Sequence, residues 1–226
     1  SMTRVFVVVP AYNEAKHIAS VVRGLLAYVT TVIVVNDGSS DDTAQVSQAA
    51  GATVLNHSLN RGYGASLVTG SRYAIEQGAN VIVHFDADGQ HDPADVSKLV
   101  KSLLLGKPYV ALGSRTLGTV HGQPWLRRAV LWLARYFTWA HTGILLSDAH
   151  NGLRAYTREA WLEFRFYQDR MAFSSEVVSE MARTKCPWVE VPVSVRYTQE
   201  SLRNSKQGFL PSLRIVWELL MGRFIR

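Results

Sequence analysis

Val81-Ile82-Val83-His84-Phe85-Asp86-Ala87-Asp88-Gly89-Gln90 is an apolar, β-branched run that breaks into two carboxylates and an amide. Its first five residues read as a buried strand. The chain thus delivers Asp86, Asp88 and Gln90 to a strand's C-terminal edge. Hard oxygen ligands grouped there suit a divalent cation holding a diphosphate. A D-x-D triplet alone also arises in surface turns. The preceding strand, and a following helix with Asp92-Pro93 as cap and first-turn proline, carry the argument.

The same alternation extends on both sides. Val5–Val9, Val32–Val35, Thr53–Leu55 and Val110–Gly113 read as strands. Between them, Ile18, Val21, Val22, Leu25 and Leu26 follow helical spacing behind a cap at Asn13. Asp41 or Asp42 caps a helix through Val46 and Ala50. Tyr63–Gln77 is a helix with Leu67, Val68 and Ile75 inward. The helix after Pro93 buries Val96, Leu99, Val100, Leu103 and Leu104. Repeated strand–helix units predict an α/β fold, a mostly parallel central sheet with helices on both faces. Ligands on such sheets bind outside the strands' carboxyl ends, where Pro10–Glu14, Asn36–Ser39 and Asp86–Gln90 all fall.

The remainder is less regular. Arg154–Tyr156 and Val189–Val195 read as strands flanking a helix over Ser174–Arg183. Trp125–Ile144 is apolar and aromatic but broken by Arg127, Arg128, Arg135 and His141, too charged for a membrane span. From Leu210, apolar residues gather on one face of a C-terminal amphipathic helix. These two segments read either as core-facing helices or as helices lying on a membrane surface.

The 226 residues carry a net charge of +6. Residues 1–114 hold 8 Lys/Arg and 9 Asp/Glu, whereas 115–226 hold 16 and 9. The basic half is expected to meet something anionic, a membrane or phosphorylated substrate rather than nucleic acid, for which no motif is present. Cys186 is the single cysteine and reads as a buried, inert thiol in a reducing compartment. Ser1 before Met2 reads as a cloning remnant, with no signal-peptide pattern after it.

Individual residues admit two readings each. Asp37 either accepts a hydrogen bond from a base or ribose, or caps its own turn. Tyr12 can stack on a base, and Glu14 can serve its helix N-terminus. Asn60-x-Gly62-x-Gly64 lacks the third glycine of the dinucleotide fingerprint, Leu67 standing in its place; it is a close approach to a sugar-nucleotide or a structural turn. Arg115, Arg127 and Arg128 suit phosphate oxygens. Asp148 with Asn151-Gly152-Leu153-Arg154 reads as a turn locked by an Asp–Arg pair or as part of a site.

Taken together, Val8-Val9-Pro10-Ala11-Tyr12-Asn13-Glu14, Val35-Asn36-Asp37-Gly38-Ser39-Ser40-Asp41, Asn60-Arg61-Gly62-Tyr63-Gly64-Ala65, Asp86-Ala87-Asp88-Gly89-Gln90-His91, Gly113-Ser114-Arg115 and Asn151-Gly152-Leu153-Arg154-Ala155-Tyr156 resemble family 2 glycosyltransferases. The order is similar to the dolichol-phosphate mannose synthase and bacterial polyprenyl-phosphate glycosyltransferase branch, over residues 4 to about 200. The resemblance implies a GT-A fold, a nucleotide-sugar donor (GDP or UDP) and inversion. It implies nucleotide binding by Pro10, Ala11, Tyr12, Glu14, Asp37, Gly62, Asp86 and Ala87. Mg²⁺ or Mn²⁺ would sit on Asp86, Asp88 and Gln90. Ser114 and Arg115, with Arg127 or Arg128, would hold an acceptor phosphate. A catalytic domain over 1–200, divided at 114/115, would precede a helical extension over 201–226. Arg203-Asn204-Ser205-Lys206 departs from the family's Gly-Glu-Ser-Lys segment.

The expected reaction is sugar transfer to a polyprenyl phosphate lipid, at the cytoplasmic face of the cell membrane with peripheral attachment, feeding cell wall biogenesis. Asp88 and Arg115 would act at the reacting centre. Transfer to a sugar hydroxyl in cell-surface polysaccharide assembly would instead require a base, for which Asp169 and Glu176 are candidates. A non-catalytic sugar-nucleotide sensor is the third reading.

Overall fold

The computed structural model describes residues 3–105, 109–117, 136, 139–140, 142–148, 151–167 and 172–196. Strands β1 (Val5–Ala11), β2 (Thr31–Asn36), β3 (Thr53–Asn56), β4 (Val81–His84), β5 (Val110–Ser114), β6 (Arg154–Thr157) and β7 (Trp188–Pro192) form one sheet in the order β3-β2-β1-β4-β6-β5-β7. Pairing is parallel except around β6, which runs antiparallel to both β4 and β5. The mostly parallel sheet is as expected. The reversal of β6 was not legible in a four-residue buried strand.

Helices α1 (Ile18–Leu26), α2 (Thr43–Ala49), α3 (Tyr63–Glu76), α4 (Ala94–Leu105), α5 (Arg158–Glu163) and α6 (Phe173–Thr184) cover the sheet. Strand periodicity divides the apolar residues between two cores. Val7, Val9, Val32, Val34, Val81 and Val83 pack with Ile18, Val22 and Leu25 of α1 and with Val96 and Leu99 of α4. Phe6, Val8, Ile33, Val35 and Ile82 face the other way, toward Leu67 of α3, Trp161 of α5 and Phe173, Val177 and Met181 of α6. Full burial of each large aliphatic side chain contributes roughly 1.5–3 kcal/mol. Gly70 lets α3 lie close on the sheet: a Cβ there would be 2.3 Å from Val8 Cγ1 and 2.9 Å from Val35 Cγ2.

Several local expectations change. Asn13 does not cap α1, which starts at Ile18. Its backbone is left-handed (φ 55°), and its side chain accepts from Ser40 N at 2.9 Å. Asp41 Oδ1 accepts from Thr43 N at 3.0 Å at the start of α2, and its Oδ2 accepts from Ala15 N at 3.2 Å. These bonds staple the loop after β1 to the loop after β2. Asp92 does cap α4, accepting from Ala94 N at 3.0 Å. Helix α5 was not anticipated; Thr157 Oγ1 accepts from Ala160 N at 3.3 Å to begin it. Cys186 is buried, and burial pushes its thiol up to about 11. Among the described residues no helix is long and apolar enough to cross a membrane. The C-terminal helix, most of Trp125–Ile144 and Arg203–Lys206 lie outside the described residues.

Candidate active site

Strand order reverses at β1, which has β2 on one side and β4 on the other. That reversal opens a crevice at the carboxyl edge. A cavity of about 400 Å³ lies there, lined by Pro10, Ala11, Tyr12, Glu14, Asp37, Asn60, Gly62, Tyr63, Ser66, Asp86, Ala87 and Asp88. The expected nucleotide-binding residues are thus brought together in one place. Sequence reasoning did not assign Asn60, Tyr63 or Ser66. Their position in the loop after β3 and the first turn of α3 was the available signal.

At one end, Asp37 closes β2 and is 4% exposed. Oδ1 accepts from Arg61 N (2.9 Å) and lies 2.7 Å from His57 Nδ1; Oδ2 accepts from Gly62 N (2.7 Å). His57 Nε2 is 3.0 Å from Thr69 Oγ1. Burial alone would raise this carboxyl, but those three partners hold it below its usual range. It is therefore ionised and purely an acceptor at neutral pH. Gly62 has φ 107° at the start of α3, a backbone region that favours glycine. His57 is a further residue that the sequence did not reveal.

Asp86 and Asp88 stand at the other end. Tyr63 Oη donates to Asp86 Oδ1 at 2.9 Å, and His91 Nε2 lies 3.5 Å from Oδ2. Burial would raise Asp86, but His91, Tyr63 and the Arg154 charge lower it overall. Gly152 presses against the same carboxylate, since a Cβ there would fall 2.1 Å from Asp86 Oδ2. Asp88 is exposed at the rim, its Oδ1 accepting from Gln90 N at 3.0 Å. Lost solvation on the cleft side and the Asp86 charge raise its carboxyl above the ordinary range. Glu14 is raised by lost solvation and then by Asp88. The Gln90 carbonyl accepts from Arg196 N at 2.9 Å, and His91 bridges to Val195, which fixes the loop.

Among the described residues no cluster of three or more His, Cys, Asp or Glu side chains forms a metal cage. The donor set still fits Mg²⁺ or Mn²⁺, because such ions use one or two carboxylates and complete their shell with waters and substrate phosphates. Lost solvation is the larger cause at Glu14 and Asp88, and the neighbouring carboxylate charge that adds to it is what a cation would relieve.

The acceptor side differs in detail from expectation. Ser114 is fully buried, and its hydroxyl bonds Ser147 Oγ inside the protein, so it does not face an acceptor. Arg115 lies just beyond β5 on the same sheet edge, two strand spacings or roughly 10 Å from β4. Its Nε and Nη2 donate to Asp148 Oδ2 and Oδ1 at 2.6 and 2.7 Å. Both oxygens of Asp148 thus meet Arg115, so the arginine of this Asp–Arg pair comes from the end of β5. Glu190 Oε1 in turn accepts from Ser147 N (2.8 Å), Ser147 Oγ (2.7 Å) and Asp148 N (3.3 Å). Glu176 is outside the cavity lining; its Oε1 accepts from Tyr167 N at 2.7 Å. Arg127, Arg128 and Asp169 lie outside the described residues.

The family model described as glycosyl transferase family 2 matches residues 6–163. An uncharacterised protein of Methanocaldococcus jannaschii is 33% identical, covering 97% of this chain and 92% of its own. The UDP-N-acetylglucosamine–dolichyl-phosphate N-acetylglucosaminyltransferase of Methanococcus voltae is 27% identical, covering 96% and 95%. The crystal structure of M. tuberculosis glucosyl-3-phosphoglycerate synthase superposes with a TM-score of 0.74 at 22% identity, covering 98% of this chain and 80% of that one. The sheet is that of the GT-A fold.

Proposed function

We propose that this chain, which belongs to glycosyl transferase family 2, moves a sugar from a GDP- or UDP-linked donor to a polyprenyl phosphate, with inversion and with Mg²⁺ or Mn²⁺. The carrying observation is the polarity of the cavity. It has an ionised acceptor, Asp37, at one end and the Asp86–Asp88 pair at the other, with Tyr12 and Pro10 between. A nucleoside diphosphate spans such a space with its base at Asp37 and its phosphates at the carboxylate pair.

When bound, the cation neutralises charge on the departing diphosphate. The chain's own residues hold the remaining parts. Tyr63, His91 and Gly152 fix Asp86, and Asp88 stays at the rim for the sugar-proximal side. Arg115, held in one orientation by Asp148, is the guanidinium proposed to meet the acceptor phosphate. That phosphate is already ionised near neutral pH, so attack at the anomeric carbon needs no general base. Glu176 lies outside the cavity lining, which favours this reading over transfer to a hydroxyl with Glu176 as base.

Peripheral attachment at the inner membrane face is part of the proposal. Its support is the basic second half of the chain, together with exposed Tyr167. A catalytic domain over 1–200 with a helical extension belongs to the same proposal.

The test is transfer of labelled sugar from nucleotide donors to a polyprenyl phosphate in detergent, with Mn²⁺ or with chelator. Metal-dependent labelling of the lipid, abolished by Asp88→Asn, is expected. Labelling of a glycan hydroxyl instead, or undiminished transfer under chelator, would overturn it.

A further inference from the structure

The hydrogen bonds around Asp37 fix how many donors a base can bring to it. A carboxylate offers about four lone-pair sites, two on each oxygen. Oδ1 already takes Arg61 N at 2.9 Å and His57 Nδ1 at 2.7 Å, and is filled. Nδ1 must be the donor, because an ionised carboxylate only accepts. Oδ2 takes Gly62 N alone, at 2.7 Å, which leaves one site. The arrangement is rigid. Asp37 N donates to Ala11 O at 2.9 Å, His57 is held from its far side by Thr69, and the Asp37 side chain is buried.

The two candidate bases differ in what they present. Guanine carries N1–H and N2–H side by side, a fork that a carboxylate satisfies with both oxygens. Uracil carries a single N–H between two carbonyls. At Asp37 a guanine would find one acceptor for two donors, and the second would be desolvated without a partner.

Resting on the reading of this cavity as a nucleoside diphosphate site, we infer that His57 sets the base specificity by occupying Asp37 Oδ1, and that the donor is a uridine diphosphate sugar rather than a guanosine one. His57 is a positioning residue in this scheme. It touches no substrate and acts by limiting what Asp37 can accept.

The experiment is calorimetric titration of the protein with UDP and with GDP, each with Mn²⁺, repeated on His57→Leu and His57→Asn. Leucine removes the donor to Oδ1, whereas the asparagine amide reproduces that of Nδ1. The wild type is expected to bind UDP about tenfold or more tightly than GDP. His57→Leu should bring the two affinities together, and His57→Asn should keep them apart. Melting temperatures establish that each variant is folded. GDP binding equal to or tighter than UDP in the wild type would overturn the base assignment and leave the nucleotide reading standing. A UDP preference that persists in folded His57→Leu, or that vanishes in His57→Asn, would overturn the role of His57. Binding of neither diphosphate would bring down the nucleotide reading itself, and this inference with it.

Discussion

Tyr63 Oη donates to Asp86 Oδ1 at 2.9 Å, so the first residue of α3 holds the carboxylate that follows β4. The loop that bonds Asp37 at one end of the cavity therefore also holds Asp86 at the other. Tyr63→Phe should weaken Mn²⁺-dependent nucleotide binding about tenfold, the worth of one hydrogen bond to a charged group, with the far-ultraviolet spectrum unchanged. Titration calorimetry of the variant checks it.

Gly152→Ala should be far more damaging than its size suggests. The new methyl would fall 2.1 Å from Asp86 Oδ2, so either the carboxylate or the turn before β6 must move. Loss of metal-dependent nucleotide binding and a lowered melting temperature are expected together. A thermal-shift series with and without Mn²⁺ would show both.

Glu190→Ala leaves Ser147 N, Ser147 Oγ and Asp148 N without their shared acceptor, which costs roughly 1–3 kcal/mol of stability. The loop carrying Asp148 then no longer fixes Arg115. Steady-state kinetics should show KM for the lipid phosphate raised about tenfold, while donor affinity is unchanged.

Asp37 titrates below its usual 3.8 in the folded protein, despite burial, because Arg61, His57 and Gly62 donate to it. A carboxyl lowered on folding adds stability that is complete above its unfolded value and disappears as pH falls through the folded one. Asp37→Asn should therefore be less stable at pH 7 by roughly 1–3 kcal/mol. The gap to wild type should close below about pH 4. Urea unfolding at a series of pH values measures it.

Much of this was legible because β1, β2 and β4 are continuous apolar runs that end abruptly in polar clusters. That pattern names both the strand and its functional end. Direction is not encoded in such a run, so the reversal of β6 was hidden, and six-residue α5 is too short to show a period. Asp37 was recognised but its partner was not, since His57 lies twenty positions away and meets it only across the sheet edge. Likewise Asp148 lies close in sequence to Arg154, yet its carboxylate takes Arg115 from the end of β5.

The reversed strand has a further consequence. Because β6 starts where β4 and β5 stop, residues 151–153 are delivered beside the Asp86 carboxylate, with Gly152 as the last tight joint. Under the proposed function, lengthening or shortening that connection would alter how an acceptor approaches Asp86 while leaving the Asp37 end of the cavity untouched. One scaffold of this kind can be retailored to new acceptors by changes in a single connection.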